Sequence, residues 1–143
     1  MPEFVLDDFL PYQLAVLSTA TSNGFSNSYR DKFGISVPEW RVVAHLSQVE
    51  KISIREVYKQ VEMDKSKASR ATARLVEAGY VSKKINKKDR RLVELSLTPK
   101  GRDMVDIIAP IGQAYQEHCL GALSDEDRAI FVRSLKILME SCK

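Results

Sequence analysis

The stretch Asp64–Arg91 reads DKSKASRATARLVEAGYVSKKINKKDRR. It holds ten of the 22 Lys and Arg residues: Lys65, Lys67, Arg70, Arg74, Lys83, Lys84, Lys87, Lys88, Arg90 and Arg91. Three acids oppose them, Asp64, Glu77 and Asp89, so these 28 residues carry +7. The whole chain carries only +3, which leaves −4 on the other 115 residues. One basic pole on a mildly acidic remainder is the charge pattern of a surface that meets a polyanion.

The first half of the stretch has helical spacing. Asp64 is a suitable N-cap, because its carboxylate accepts free N–H groups of the first turn. Ala68, Ala71, Thr72, Leu75 and Val76 fall near one face. Gly79 stands where a left-handed C-terminal residue belongs. The opposite face presents Ser66, Lys67, Ser69, Arg70, Ala73 and Arg74. Its cations and hydroxyls suit the major groove of duplex DNA, where Arg bonds guanine in bidentate fashion. A solvated surface helix is the bland alternative for such a helix taken alone.

The second half decides between them. Val81–Ile85 and Leu92–Leu97 have strand character, and the second alternates Leu92, Glu94, Ser96 against Val93, Leu95, Leu97. Between them, Asn86 to Arg91 is a polar connection holding Lys87, Lys88, Arg90 and Arg91. A helix followed at once by a hairpin with a cationic tip predicts a winged helix. Its tip reaches flanking backbone or a minor groove, where a narrow groove favours Arg. Lys83, Lys84, Lys87 and Lys88 are expected mainly on phosphate, and Ser69 and Arg70 on bases.

The chain resembles the MarR family of bacterial transcriptional regulators. The matching residues are Val37-Pro38-Glu39-Trp40-Arg41-Val42-Val43, Leu75-Val76-Glu77-Ala78-Gly79-Tyr80-Val81, Asp89-Arg90-Arg91 and Leu97-Thr98-Pro99-Lys100-Gly101. They occur in order and with family spacing over nearly the whole chain. The family wing usually reads Asp-x-Arg-Asp-Arg-Arg; here Asn86 replaces the first Asp and Lys88 the first Arg. The resemblance implies an α+β, mostly α fold: a winged helix-turn-helix with N- and C-terminal dimerisation helices. It also implies one domain over 1–143, with the winged module at 36–98 and dimerisation helices at 1–35 and 99–143.

A length of 143 residues suits one domain with an adequate core. At 44% hydrophobic and 29% charged the composition is ordinary for a globular protein. No apolar run approaches the ~20 residues of a membrane span, so no membrane partner is expected. The opening MPEFVLDDFL is acidic and lacks the positive start of a signal peptide, which makes the cytoplasm the expected compartment.

Residues from about Asp8 to Arg30 read as a first long helix, with Pro11 in its first turn. Its second half, Thr21 to Ser28, is polar and weakly helical by propensity. Phe33-Gly34-Ile35 breaks the chain. Ser36-Val37-Pro38-Glu39 and Ser53-Ile54-Arg55-Glu56 are capping boxes that open the next two helices. Trp40, Val43, Ala44 and Leu46 are expected inward. Thr98 and Pro99 start a long helix, in which Pro110 predicts a kink, and Ser124 caps the last helix. Phe4, Val5, Leu6, Phe9 and Leu10 form an exposed-looking apolar cluster. A homodimer would bury it and set two recognition helices about one DNA turn apart. A monomeric bundle is the alternative.

Enzymatic chemistry finds little in this sequence. It has two histidines, His45 and His118, and no nucleophile motif or phosphate-cradling glycine loop, so no catalytic residue is named. His118 and Cys119 diverge by about 100° on a helix and make a poor metal pair, so neither metal nor other cofactor is expected. Cys119 and Cys142 read as inert thiols. Peroxide sensors of the resembled family carry their Cys in the first helix, where this chain has none. A redox regulator acting through Cys119 stays as an alternative.

The resemblance implies a small-molecule effector, an aromatic acid or conjugate, bound between dimer helices and winged module. Candidate lining residues are Ser22, Phe25, Ser26, Tyr29 and Arg30, then Trp40, Arg41 and His45, with Tyr115 facing them. Aromatic rings supply stacking surface, and Arg or His an anion partner. The competing assignment makes Phe25, Tyr29 and Trp40 core. The expected function is a ligand-responsive repressor on a pseudo-palindromic operator in double-stranded DNA. The rivals are a constitutive DNA-binding protein and a protein-interaction winged helix without effector.

Overall fold

The computed structural model describes residues 3–143. Among them are six α-helices and three short strands: α1 (Leu10–Phe33), α2 (Val37–Ser47), β1 (Ile52–Ser53), α3 (Ile54–Gln60), α4 (Lys65–Glu77), β2 (Val81–Ile85), β3 (Val93–Leu97), α5 (Pro99–Leu120) and α6 (Asp125–Ser141). A 3-10 turn, Leu6–Asp8, precedes α1. The strands make one antiparallel sheet in the order β1-β3-β2. This is a mostly helical winged helix-turn-helix. The chain divides into two compact units, Met1–Pro110 and Ile111–Lys143, and the division falls at Pro110 inside α5.

The helix starts follow the capping residues. The Ser36 hydroxyl accepts from Glu39 N at 3.3 Å, and the Glu39 carboxylate accepts from Ser36 N at 3.1 Å, a complete capping box. At Ser53 only the first half forms: the hydroxyl accepts from Glu56 N at 3.1 Å, while the Glu56 carboxylate takes Lys59 at 3.4 Å. Asp64 accepts from Lys67 N at 2.8 Å, and Ser124 from Asp127 N at 3.1 Å.

The first unit is built around α2, which packs against α4. Val42, Val43 and Leu46 are buried with Val57, Val61, Ala68, Ala71, Leu75, Val81, Leu95, Leu97, Met104 and Ile108. Val42 was not among the expected inward residues, and Trp40 and Ala44 are only half-buried. Alanines at 68 and 71 let the two helices approach closely, and Leu46 and Leu95 fill the space between helices and sheet. Burying such a Leu contributes about 1.5–3 kcal/mol.

α1 reaches Phe33, three residues past the expected end, and carries its polar run in helical form. Thr21 Oγ1 donates to Leu17 O at 2.9 Å and Ser26 Oγ to Asn23 O at 2.7 Å, so these hydroxyls are satisfied within the helix. Aromatic packing supplies what propensity lacks: Phe25 meets both Tyr29 and Trp40 edge-on at 5.3 and 5.6 Å. α1 ends on Gly34, whose φ of 68° is the left-handed conformation.

In the second unit, Glu117 and Arg128 pair at 2.7 Å across the turn between α5 and α6. Each holds the other charged, which lowers the Glu117 pKa and raises that of Arg128. α6 leaves Ile130, Phe131, Leu135, Ile137, Leu138 and Met139 exposed. Phe4, Val5, Leu6, Phe9, Leu10, Leu14, Val16 and Leu17 are likewise exposed in the first unit. No helix among the described residues is long and apolar enough to cross a membrane.

Candidate nucleic-acid interface

α4 buries Ala68, Ala71, Thr72 and Leu75 and exposes Ser66, Lys67, Ser69, Arg70, Ala73 and Arg74. Arg70 Nη1 donates to Ser66 Oγ at 2.8 Å, one turn back on the exposed face. Arg74 is different. Its guanidinium lies 3.7 Å from the buried Glu39 carboxylate, which ties α4 to the first turn of α2. Arg74 is therefore held from behind, whereas Lys67 and Ser69 have no such tether among the described residues.

The C-terminal end of α4 is fixed by a Schellman motif. Tyr80 N donates to Leu75 O at 3.0 Å and Gly79 N to Val76 O at 3.1 Å, with Gly79 at φ 84°. Thr98 Oγ1 donates to Gly79 O at 2.6 Å and accepts from Gly101 N at 3.0 Å. Lys100 donates to Ala78 O at 2.8 Å and lies 4.5 Å from the centre of the Tyr80 ring. One side-chain cluster thus joins the end of α4 to the start of α5. Gly101 belongs here for a steric reason: a Cβ on it would run into the Tyr80 carbonyl and the Leu97 side chain.

The wing is β2 and β3, paired from Val81↔Leu97 to Ile85↔Val93. Lys83 and Lys84 on β2 are exposed, as are Lys87, Lys88, Arg90 and Arg91 in the tip. The tip has its own bonds. Asn86 Oδ1 accepts from the N–H groups of Lys88 at 2.8 Å and Asp89 at 3.1 Å, and Asn86 Nδ2 donates to Glu94 Oε1 at 2.8 Å. Asp89 Oδ1 accepts from Arg91 N at 3.0 Å and Arg91 Nε at 3.2 Å. Those bonds hold the Asp89 carboxyl below its ordinary pKa. The two substitutions in the wing pattern remove neither the turn nor the Asp89–Arg91 pair.

The candidate effector residues divide between the two units. In the first, Ser26 and Tyr29 are buried, while Ser22, Phe25, Trp40, Arg41 and His45 are half-buried and Arg30 is exposed. Tyr29 stacks on Trp40 at 5.6 Å. Burial pushes the Tyr29 hydroxyl up to about 12 against the pull of Arg30 and Arg41. Arg41 Nη1 donates to Glu62 O at 3.0 Å, which bridges α2 to the turn between α3 and α4. Tyr115 lies in the second unit, where the bond it shares with the Cys119 side chain raises its pKa. No group of three or more His, Cys, Asp or Glu among the described residues is placed to hold a metal ion.

A recognition-type helix, its supporting helix and a cationic hairpin define the winged helix-turn-helix fold. Residues 33–92 match the profile of the MarR family. The regulator SarZ of Staphylococcus epidermidis is 24% identical over 114 residues, covering 78% of this chain and 77% of SarZ. A MarR transcriptional regulator from Methanosarcina mazei superposes with a TM-score of 0.83 at 23% identity, over 94% of this chain and 96% of that one. BpsR of Bordetella bronchiseptica, whose DNA binding is regulated by 6-hydroxynicotinic acid, superposes with a TM-score of 0.82 at 20% identity, over 96% and 98% of the two chains.

Proposed function

We propose that this chain is a homodimeric, ligand-responsive repressor that binds a pseudo-palindromic operator and is released by a small aromatic acid or its conjugate. The observation that carries the DNA-binding part is the exposure of two cationic elements in one module. The outer face of α4 offers Ser66, Lys67, Ser69, Arg70 and Arg74, and the wing offers Lys83, Lys84, Lys87, Lys88, Arg90 and Arg91. In this reading α4 enters the major groove and the wing meets the flanking backbone.

The dimer is supported by the large apolar side chains left exposed at both ends of the chain, the kind of surface that marks an interaction site. Two copies would set their recognition helices about one DNA turn, ~34–36 Å, apart. The domain division proposed is the winged module at 36–98 with dimerisation helices at 1–35 and 99–143.

For the effector, the proposed set is Ser22, Phe25, Ser26, Tyr29 and Arg30 of α1 with Trp40, Arg41 and His45 of α2. Rings packed beside two guanidinium groups match an aromatic carboxylate. BpsR, of the same fold, responds to such an acid. Arg41 also touches the α3–α4 turn, so a ligand engaging it would bear on the recognition helix. A ligand that prefers the non-binding spacing about 100-fold supplies roughly 2.7 kcal/mol, enough to empty much of the operator.

The test is a thermal-shift screen of aromatic acids and conjugates, followed by gel shift of each hit on a duplex from the gene's own upstream region. The reading expects a hit that both stabilises the protein and releases the duplex. A protein that binds the duplex but is released only by peroxide, with the response lost in Cys119→Ser, would overturn the effector part in favour of redox control.

A further inference from the structure

The wing tip is a closed loop, and one side chain closes it from both directions. Asn86 accepts two backbone N–H groups of the loop, those of Lys88 and Asp89, through Oδ1. Through Nδ2 it donates to the Glu94 carboxylate at 2.8 Å. Asn86 N also donates to Leu92 O at 2.9 Å, so the loop is pinned where both strands enter it. Glu94 sits on the central strand β3, opposite Ser53 of β1 on one side and Lys84 of β2 on the other. Lys51, just ahead of β1, lies 3.9 Å from the same carboxylate. The tip is thereby fastened to the middle of the sheet through one amide–carboxylate bond.

An aspartate has the same shape as Asn86 and would keep both acceptor bonds to the loop backbone. It has no donor for Glu94. At this separation it would set one carboxylate against another, with Lys84 and Lys51 the cations beside them. Asp89 is already engaged with Arg91, with Arg55 of α3 the next charge. The Asp found here in the related wing pattern would therefore conflict with Glu94, and this chain needs the amide.

We propose that Asn86 is a positioning residue for duplex binding. Its amide, held between the tip backbone and Glu94, fixes the loop that carries Lys87, Lys88 and Arg90. The proposal rests on the DNA-binding reading above. A loop held in one conformation presents its cations to phosphate without first being ordered, which lowers the entropic cost of binding.

The test compares the wild type, Asn86→Asp, Glu94→Gln and the double variant by fluorescence anisotropy on the upstream duplex. Amide hydrogen exchange at Lys88 and Asp89 is read alongside, with the core amide of Leu95 as internal reference. Asn86→Asp should weaken binding about tenfold near pH ~8 and less near pH ~5.5, where a proton shared by the two carboxylates restores a donor. The double variant should return to within about twofold of wild type, because the introduced amide at 94 donates to the introduced carboxylate at 86. Wild-type binding by Asn86→Asp at both pH values, or a loss that Glu94→Gln does not repair, would overturn the assignment. If the wild type bound no duplex, the regulator reading would fall and exchange alone would decide. Faster exchange at Lys88 and Asp89 in Asn86→Asp, recovered in the double variant, supports the proposal; unchanged exchange overturns it.

Discussion

Arg74 of α4 lies 3.7 Å from Glu39 of α2, and Glu39 is the buried partner of the two. The carboxylate has two tasks. It caps α2 through Ser36 N and anchors the helix proposed to read DNA. Glu39→Ala removes both and leaves a cavity, at a cost of about 1–3 kcal/mol. Glu39→Gln keeps an acceptor for the Ser36 N–H and should cost less. Urea denaturation of the two variants checks the order; equal losses would show that the bond to Ser36 N contributes nothing beyond the charge on Glu39.

Gly101 is a second point of rigidity. A methyl group there meets backbone, the Tyr80 carbonyl, which cannot rotate away as a side chain would. Gly101→Ala should destabilise by about 1–3 kcal/mol, the usual cost of overpacking a tight contact. A melting temperature equal to wild type would mean that the α4–α5 junction yields easily.

Tyr29 gives a pH dependence with a definite sign. Its folded-state pKa of about 12 lies above the ordinary 10.0. The protonated phenol is thus favoured by folding. Its full contribution is present below about pH 10, the unfolded value, and is lost as pH rises through the folded value. Two pK units correspond to roughly 2–3 kcal/mol. Denaturation of wild type and Tyr29→Phe from about pH 8.5 to about pH 11 should show the wild type losing stability faster. Parallel curves would contradict the burial of this hydroxyl.

Much of this organisation is legible in the sequence because short-range rules carry it. Ser36, Ser53, Asp64 and Ser124 mark helix starts through bonds three residues long. Gly79 marks a helix end, and the alternation from Val93 to Leu97 marks a strand. What the sequence hides is set by longer reach. β1 is two residues, too short for any period, and exists because Ile52 and Ser53 pair with Leu95 and Glu94. The polar half of α1 stays helical through Phe25 and Tyr29 packing on Trp40. The Glu39–Arg74 pair spans 35 positions, and nothing local in either residue announces it. The partner of Asn86, Glu94, stands eight positions on in the returning strand, beyond the reach of the wing-tip pattern.

The two kinds of cation should separate in binding experiments. Arg70 stands on the exposed face of α4 and is expected to read a base. Arg70→Ala should cost about 1–3 kcal/mol on the operator and little on random duplex. Equal losses on both would reassign it to phosphate.

The most direct measurement is the salt dependence of binding to the upstream duplex, followed by anisotropy from about 50 to about 200 mM salt. A protein that neutralises phosphates with Lys67 and the wing cations must release counterions. Its affinity should fall linearly on a double-logarithmic scale, by roughly 0.9 per phosphate contacted. Lys87→Ala should weaken operator and random duplex alike and lower that slope by about one unit. Absence of any salt-sensitive binding, even at the lowest salt, would contradict the assignment of this basic pole to duplex DNA.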